Sequence, residues 1–126
     1  MTCLELKGVS KRYDGAVQDA LHALDLEIEE GEILGVVGAS GSGKTPLLRL
    51  VAGLESPTTG ELRISGLKVA GGGAWVPPEK RGVGLVFQEG ALFPHMTVEA
   101  NVAYGLRGLS KEERMARLHY LLAIVN

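Results

Sequence analysis

Cysteine is all but missing from this chain: Cys3 is the only one in 126 residues, so no internal disulfide can brace the fold. Its apolar neighbours give Cys3 a packing role. Long apolar runs are missing too. Ile33–Val37 is among the longest, far short of the ~20 residues that a membrane-spanning helix needs. Met1-Thr2-Cys3-Leu4-Glu5 has neither the basic start nor the apolar core of a secretory leader, which makes the cytosol the expected compartment. Charge of one sign is not in excess: 13 Lys+Arg stand against 15 Asp+Glu, a net charge of −2. Without a dense basic run there is no electrostatic footprint for nucleic acid. Aspartate is scarce and unevenly placed, with Asp14, Asp19 and Asp25 the only three. Any chemistry in the remaining hundred or so residues has to do without that side chain.

What is present describes a globular chain of single-domain length, 45% hydrophobic and 22% charged. Leu4, Leu6 and Val9 belong to a half-buried strand pattern, followed by a turn at Tyr13-Asp14-Gly15. Leu24, Leu26 and Ile28 alternate with acidic residues in a second strand ending at Glu30-Gly31. Ile33–Val37 is apolar on both faces, the pattern of a central parallel strand. From Lys44 to Ala52 the apolar residues fall at helical spacing, with Gly53 as the C-terminal cap. A turn at 56–60 leads to a short strand over Glu61–Ile64. Residues 70–78 read as a loop, Val83–Phe87 as another apolar strand, and helices are expected from Thr97 and from Ser110. Ser110 and Glu113 have capping-box spacing. Met115, Leu118, Leu121, Leu122 and Val125 then share one apolar face. Glycine is abundant, 18 residues, about twice the ordinary frequency.

The glycines concentrate where chemistry is expected. Gly38-Ala39-Ser40-Gly41-Ser42-Gly43-Lys44-Thr45 matches G-x-x-x-x-G-K-S/T, between an expected buried strand and an expected helix. Glycines let successive backbone N–H groups turn inward onto phosphate oxygens, and the helix N-terminus adds a favourable dipole. Lys44 would meet the β- and γ-phosphates, and the Thr45 hydroxyl would reach Mg²⁺. Pro46 follows, and removes one N–H at the first helical turn without breaking the helix.

The sequence resembles the ATP-binding subunits of ABC transporters along its whole length. Val9-Ser10-Lys11-Arg12-Tyr13 is similar to the family's opening, which implies that Tyr13 stacks on adenine. Leu54–Gly60 is similar to the segment after the P-loop helix. Val86-Phe87-Gln88-Glu89-Gly90-Ala91-Leu92-Phe93-Pro94-His95-Met96-Thr97-Val98 resembles the Q-loop, which implies that Gln88 contacts Mg²⁺ and the attacking water. Trp75–Leu85 resembles importers of ferric iron, with molybdate, sulfate and polyamine importers as cousins. The resemblance implies an α/β fold: a P-loop NTPase core with an antiparallel β subdomain over 1–95, and the start of a helical subdomain over 96–126. It further implies ATP and Mg²⁺ as cofactors, with Lys44 and Gln88 in the catalytic machinery. Transmembrane permease subunits and a second ATP-binding subunit would be partners, and the location would be the inner face of the plasma membrane.

Against that pattern, Pro46 stands where the family usually has Ser or Thr, which implies weaker nucleotide binding. No Asp follows Lys44, so the Walker B carboxylate is missing, as are the signature Leu-Ser-Gly-Gly-Gln, the catalytic glutamate and the switch histidine. His95 and His119 precede the point where that histidine should come. The apolar helix face runs to Val125 and the chain stops at Asn126, so the expectation is an incomplete domain. The alternative is a truncated, non-catalytic module that binds nucleotide or a partner. A GTPase is disfavoured, because no D-x-x-G follows the aspartates and no N-K-x-D occurs.

Overall fold

The computed structural model describes residues 1–125. It forms two compact units, Met1–Leu85 and the residues from Val86 onward.

The first unit is a five-stranded antiparallel sheet and one helix. Its strands are β1 (Thr2–Lys11), β2 (Leu21–Glu29), β3 (Thr59–Ile64), β4 (Leu67–Gly71) and β5 (Ala74–Trp75), in the order β2-β1-β3-β4-β5. Helix α1 spans Lys44–Ala52. Leu6 lies opposite Leu26 on one side and Leu62 on the other. This places an apolar row across three strands, as a period of two requires. Leu47 and Leu50 of α1 join Leu6, Val9, Leu62, Val69 and Ala70 in the core.

Leu6 and Val9 are three apart, yet both are buried. The ladder shifts register between them on β2, and between Lys7 and Ser10 on β3. A bulge therefore re-aims Val9 inward. Gly8 takes φ 57° there, a left-handed value that side chains resist. Its N–H donates to Asp25 Oδ1 at 2.7 Å. Gly60, at φ 91°, crosses close by: a Cβ on it would lie 2.7 Å from the Lys7 carbonyl oxygen. Part of the glycine surplus thus serves close backbone crossing within the sheet.

Three sequence expectations are corrected. Ile33–Val37 and Val83–Phe87 are not strands. Leu34 and Val36 line an apolar groove with Leu26, Ile28, Leu47 and Val51, while Ile33 and Val37 are 98% and 94% exposed. A strand apolar on both faces is patterned for a sheet covered on both faces, and no described strand pairs with either segment to place it in one. Conversely, the expected loop over 70–78 contains the end of β4 and all of β5, paired Ala70↔Trp75 and Gly71↔Ala74. Glycine-rich sequence hid a hairpin.

The second unit holds α2 (Val98–Ala103) and α3 (Lys111–Val125). Thr97 caps α2 by accepting from the Ala100 N–H at 3.1 Å. The expected capping box of α3 is present, with Ser110 N–H donating to Glu113 Oε2 at 3.1 Å and Glu113 N–H to Ser110 Oγ at 3.2 Å. Of the apolar face of α3, Leu118 alone is fully buried, while Met115 is 42% exposed. Among the described residues, no helix is long and apolar enough to cross a membrane.

Surface carboxylates bind the first unit together. Asp19 accepts from Arg12 Nε at 2.7 Å and pairs with His22 Nδ1 at 2.6 Å. These contacts, His22 first, hold its pKa below the ordinary 3.8. Glu61 is lowered likewise, by its bond to Lys68, and Glu29 by the N-terminal ammonium and Thr2. The unfolded chain therefore takes up protons before the folded one, so stability present above about pH 4 is lost as pH falls through the folded values. The urea midpoint is expected to drop between pH 5 and pH 3, and less in Asp19→Asn. An identical drop in that variant would exclude Asp19 from the effect.

Candidate functional site

The segment 38–45 leads directly into α1, and its geometry follows from its glycines. Gly43 sits at the N-cap with φ 101°, and a Cβ there would lie 2.7 Å from the Ala20 carbonyl oxygen. Only glycine both takes that dihedral and lets the helix start pack against the chain entering β2. Gly41 is left-handed as well, at φ 82°. A Cβ at Gly38 would run into the Ser42 side chain. The Ser42 N–H closes a turn on the Ala39 carbonyl at 3.1 Å.

Lys44 is the first residue of α1, and its side chain folds back over the loop. The ammonium donates to the carbonyl of Gly38, with Ala39 O at 3.4 Å. No salt bridge among the described residues engages it. No side chain caps the helix N-terminus, so the first-turn N–H groups lack an intrahelical or capping acceptor. Thr45 is exposed and Pro46 half-buried. Leu47 N–H still reaches Gly43 O at 3.0 Å, so the proline leaves the first turn intact. A cation held on neutral carbonyls beside unpaired N–H groups and the positive end of a helix dipole is suited to a polyanion.

Tyr13 lies in the loop after β1, 40% exposed. Its phenol donates to Glu55 Oε2 at 2.7 Å, and the hydrogen bond to that carboxylate raises the phenol above its ordinary value of 10.0. Glu55 Oε1 faces Arg49 Nη1 of α1 at 3.4 Å. Gly38 to Gly43 form a loop that runs straight into α1 at Lys44, and Tyr13 is tied to the same helix through Glu55 and Arg49. Gln88 is exposed at a bend of the second unit.

Sequence reasoning passed over three organising residues. Glu55 and Arg81 act through contacts remote in sequence. Asn101 accepts from Phe93 N–H at 2.8 Å and donates to Thr97 O at 2.9 Å, shaping the segment before α2. An Asn inside a short helix is its only sequence cue.

A glycine loop closed by lysine, with a helix beginning on that lysine, defines a P-loop module. The chain belongs to the ABC transporter family, whose profile matches residues 21–126. It is 44% identical over 125 residues to the Fe(3+) ions import ATP-binding protein FbpC of Serratia marcescens, covering 99% of this chain and 35% of that protein. It is 52% identical over 115 residues to the alpha-glucoside transport ATP-binding protein AglK of Rhizobium meliloti, covering 90% and 30%. Among solved structures it resembles the post-hydrolysis dimer of the ATP-binding cassette MJ0796 bound to ADP and Pi. That similarity has a TM-score of 0.78 and 32% identity, and covers 95% of this chain and 56% of that one. The chain thus spans about a third of the length of the curated relatives it matches.

Proposed function

We propose that this chain is the ATP-binding part of an ABC importer ATPase, and that Gly38–Thr45 cradles the nucleotide phosphates. The observation that carries it is the loop itself: Lys44 on the Gly38 and Ala39 carbonyls, at the uncapped start of α1. Lys44 exchanges those carbonyls for the β- and γ-phosphates, a charge-assisted and stronger partnership. Tyr13 stacks on the adenine. Gln88, in the segment that resembles the Q-loop, is the residue that serves Mg²⁺ and the attacking water in catalysis and couples to a permease. A permease and a second ATP-binding subunit are the partners, at the inner face of the membrane, with residues 96–126 opening the helical subdomain. Relatives named for Fe(3+) and for alpha-glucoside both match this chain. What they share with it is the ATP-handling machinery, and the solute is selected outside it.

The donor set fits Mg²⁺ only in company with nucleotide. The Thr45 hydroxyl is a suitable hard oxygen, but no group of three His, Cys, Asp or Glu able to hold a metal occurs among the described residues. Mg²⁺ bound with ATP would neutralise charge developing on the phosphates. Thr45 would hold it.

The 126-residue chain binds ATP without turning it over. Hydrolysis needs a residue that orients the attacking water and a firmly held metal, and no Asp follows Lys44. In a phosphate-release assay, the chain and its Lys44→Ala variant are expected to give the same background at every protein concentration. Lys44-dependent release that rises with concentration would contradict this and would implicate a recruited carboxylate such as Glu89.

A further inference from the structure

We propose that Glu55 is a positioning residue for nucleotide recognition: it fixes the Tyr13 ring as a platform for the base, so that affinity depends on the base and not on the phosphates alone. This rests on the nucleotide reading above. The phenol–carboxylate contact is one of several between the end of β1 and the turn after α1. Lys11 Nζ donates to Ser56 O at 2.9 Å, Arg12 N–H to Thr58 Oγ1 at 2.9 Å, and Thr58 N–H to Ser10 O at 2.8 Å. Together they hold residues 10–13 along residues 55–58.

The division of the Glu55 carboxylate is informative. One oxygen takes the Tyr13 hydroxyl at 2.7 Å, and the other faces Arg49 at 3.4 Å. Arg49 lies in the last turn of the helix whose first residue is Lys44. The ring is therefore referenced to the helix that carries the phosphate-binding lysine, through Arg49 and Glu55. Lys11 Nζ stands 5.2 Å from the Tyr13 ring centroid, a cation over the ring's π-face. A base would take the face away from that cation. A loop tyrosine without such an anchor would sample several rotamers, and a ligand would have to select one; the anchor lowers that ordering cost in advance.

The test compares ATP with inorganic tripolyphosphate, which has no base. Competition titrations would use the chain itself and Tyr13→Phe, Glu55→Ala, their double variant and Tyr13→Ala. Tyr13→Phe keeps the ring and removes the donor, and guards against misfolding in Glu55→Ala. Each of these two is expected to weaken ATP about three- to ten-fold, non-additively in the double variant, with tripolyphosphate unchanged. In a Tyr104→Phe/Tyr120→Phe background, which leaves Tyr13 as the only tyrosine, the ultraviolet phenol titration should move to lower pH when Glu55 becomes Ala. If Tyr13→Ala weakens ATP while Tyr13→Phe and Glu55→Ala do not, the stacking reading stands and the positioning role fails. A phenol titration that does not move, or equal losses for ATP and tripolyphosphate, also overturns the positioning role. Tyr13→Ala without effect on ATP overturns the stacking reading itself.

Discussion

Replacing Arg81 with methionine is expected to lower the unfolding free energy by about 2–4 kcal/mol. Arg81 is 5% exposed. Its Nε donates to Val76 O at 2.7 Å, and its Nη1 to Leu50 O at 2.9 Å and Val51 O at 3.3 Å. Its Nη2 donates to Val69 O at 3.2 Å. Two of these carbonyls belong to the last turn of α1, where the helix dipole is negative. The others lie in β4 and just after β5, so one guanidinium ties the helix end to the sheet. The Trp75 ring stacks over it, 4.7 Å from centroid to guanidinium carbon. Gly53 leaves room for it, since a Cβ there would lie 2.7 Å from Arg81 Nε. Burial pulls the pKa of Arg81 down, but an arginine keeps its charge in a protein. Methionine would replace the aliphatic stem and leave the carbonyls short of a donor. Lysine is not expected to rescue, because an ammonium lacks the planar fork that reaches four acceptors. The urea midpoint checks this. A methionine variant as stable as the parent would show that the carbonyls find other donors.

Lys44→Ala is expected to weaken ATP binding about 100-fold, a loss of two charge-assisted hydrogen bonds at roughly 1.5 kcal/mol each. Stability should change by less than about 1 kcal/mol, because the ammonium holds only carbonyls of its own exposed loop. Arg81 bonds carbonyls of the helix and the sheet, whereas Lys44, on the proposal above, acts on a ligand. Equilibrium competition against a fluorescent ATP analogue measures the first quantity and urea unfolding the second. Undiminished ATP affinity in Lys44→Ala would remove the lysine from the site.

Several local signals were legible in the sequence, though the short β4–β5 hairpin was not. The Lys44 helix, the strand over Glu61–Ile64 and the Ser110–Glu113 cap each depend on spacing within one element, and all three are present. The glycine loop was legible for the same reason. Contacts that join residues far apart in the chain were not. Nothing in a period of two or 3.6 places Glu55 against Tyr13, 42 positions away, or Arg81 against Leu50, 31 away. The same limit explains the misread of Ile33–Val37. It was expected to be buried on both faces, yet Ile33 and Val37 are exposed: a strand also needs a ladder partner, and no described residue supplies one.

The central claim, that Gly38–Thr45 holds the phosphates of a nucleotide, is tested most directly by amide chemical shifts on addition of Mg-ATP. The largest shifts should fall on Gly41, Gly43, Lys44 and Thr45, tripolyphosphate should reproduce them, and Lys44→Ala should remove them. Shifts that leave these four amides unmoved while others respond would contradict the assignment of the site.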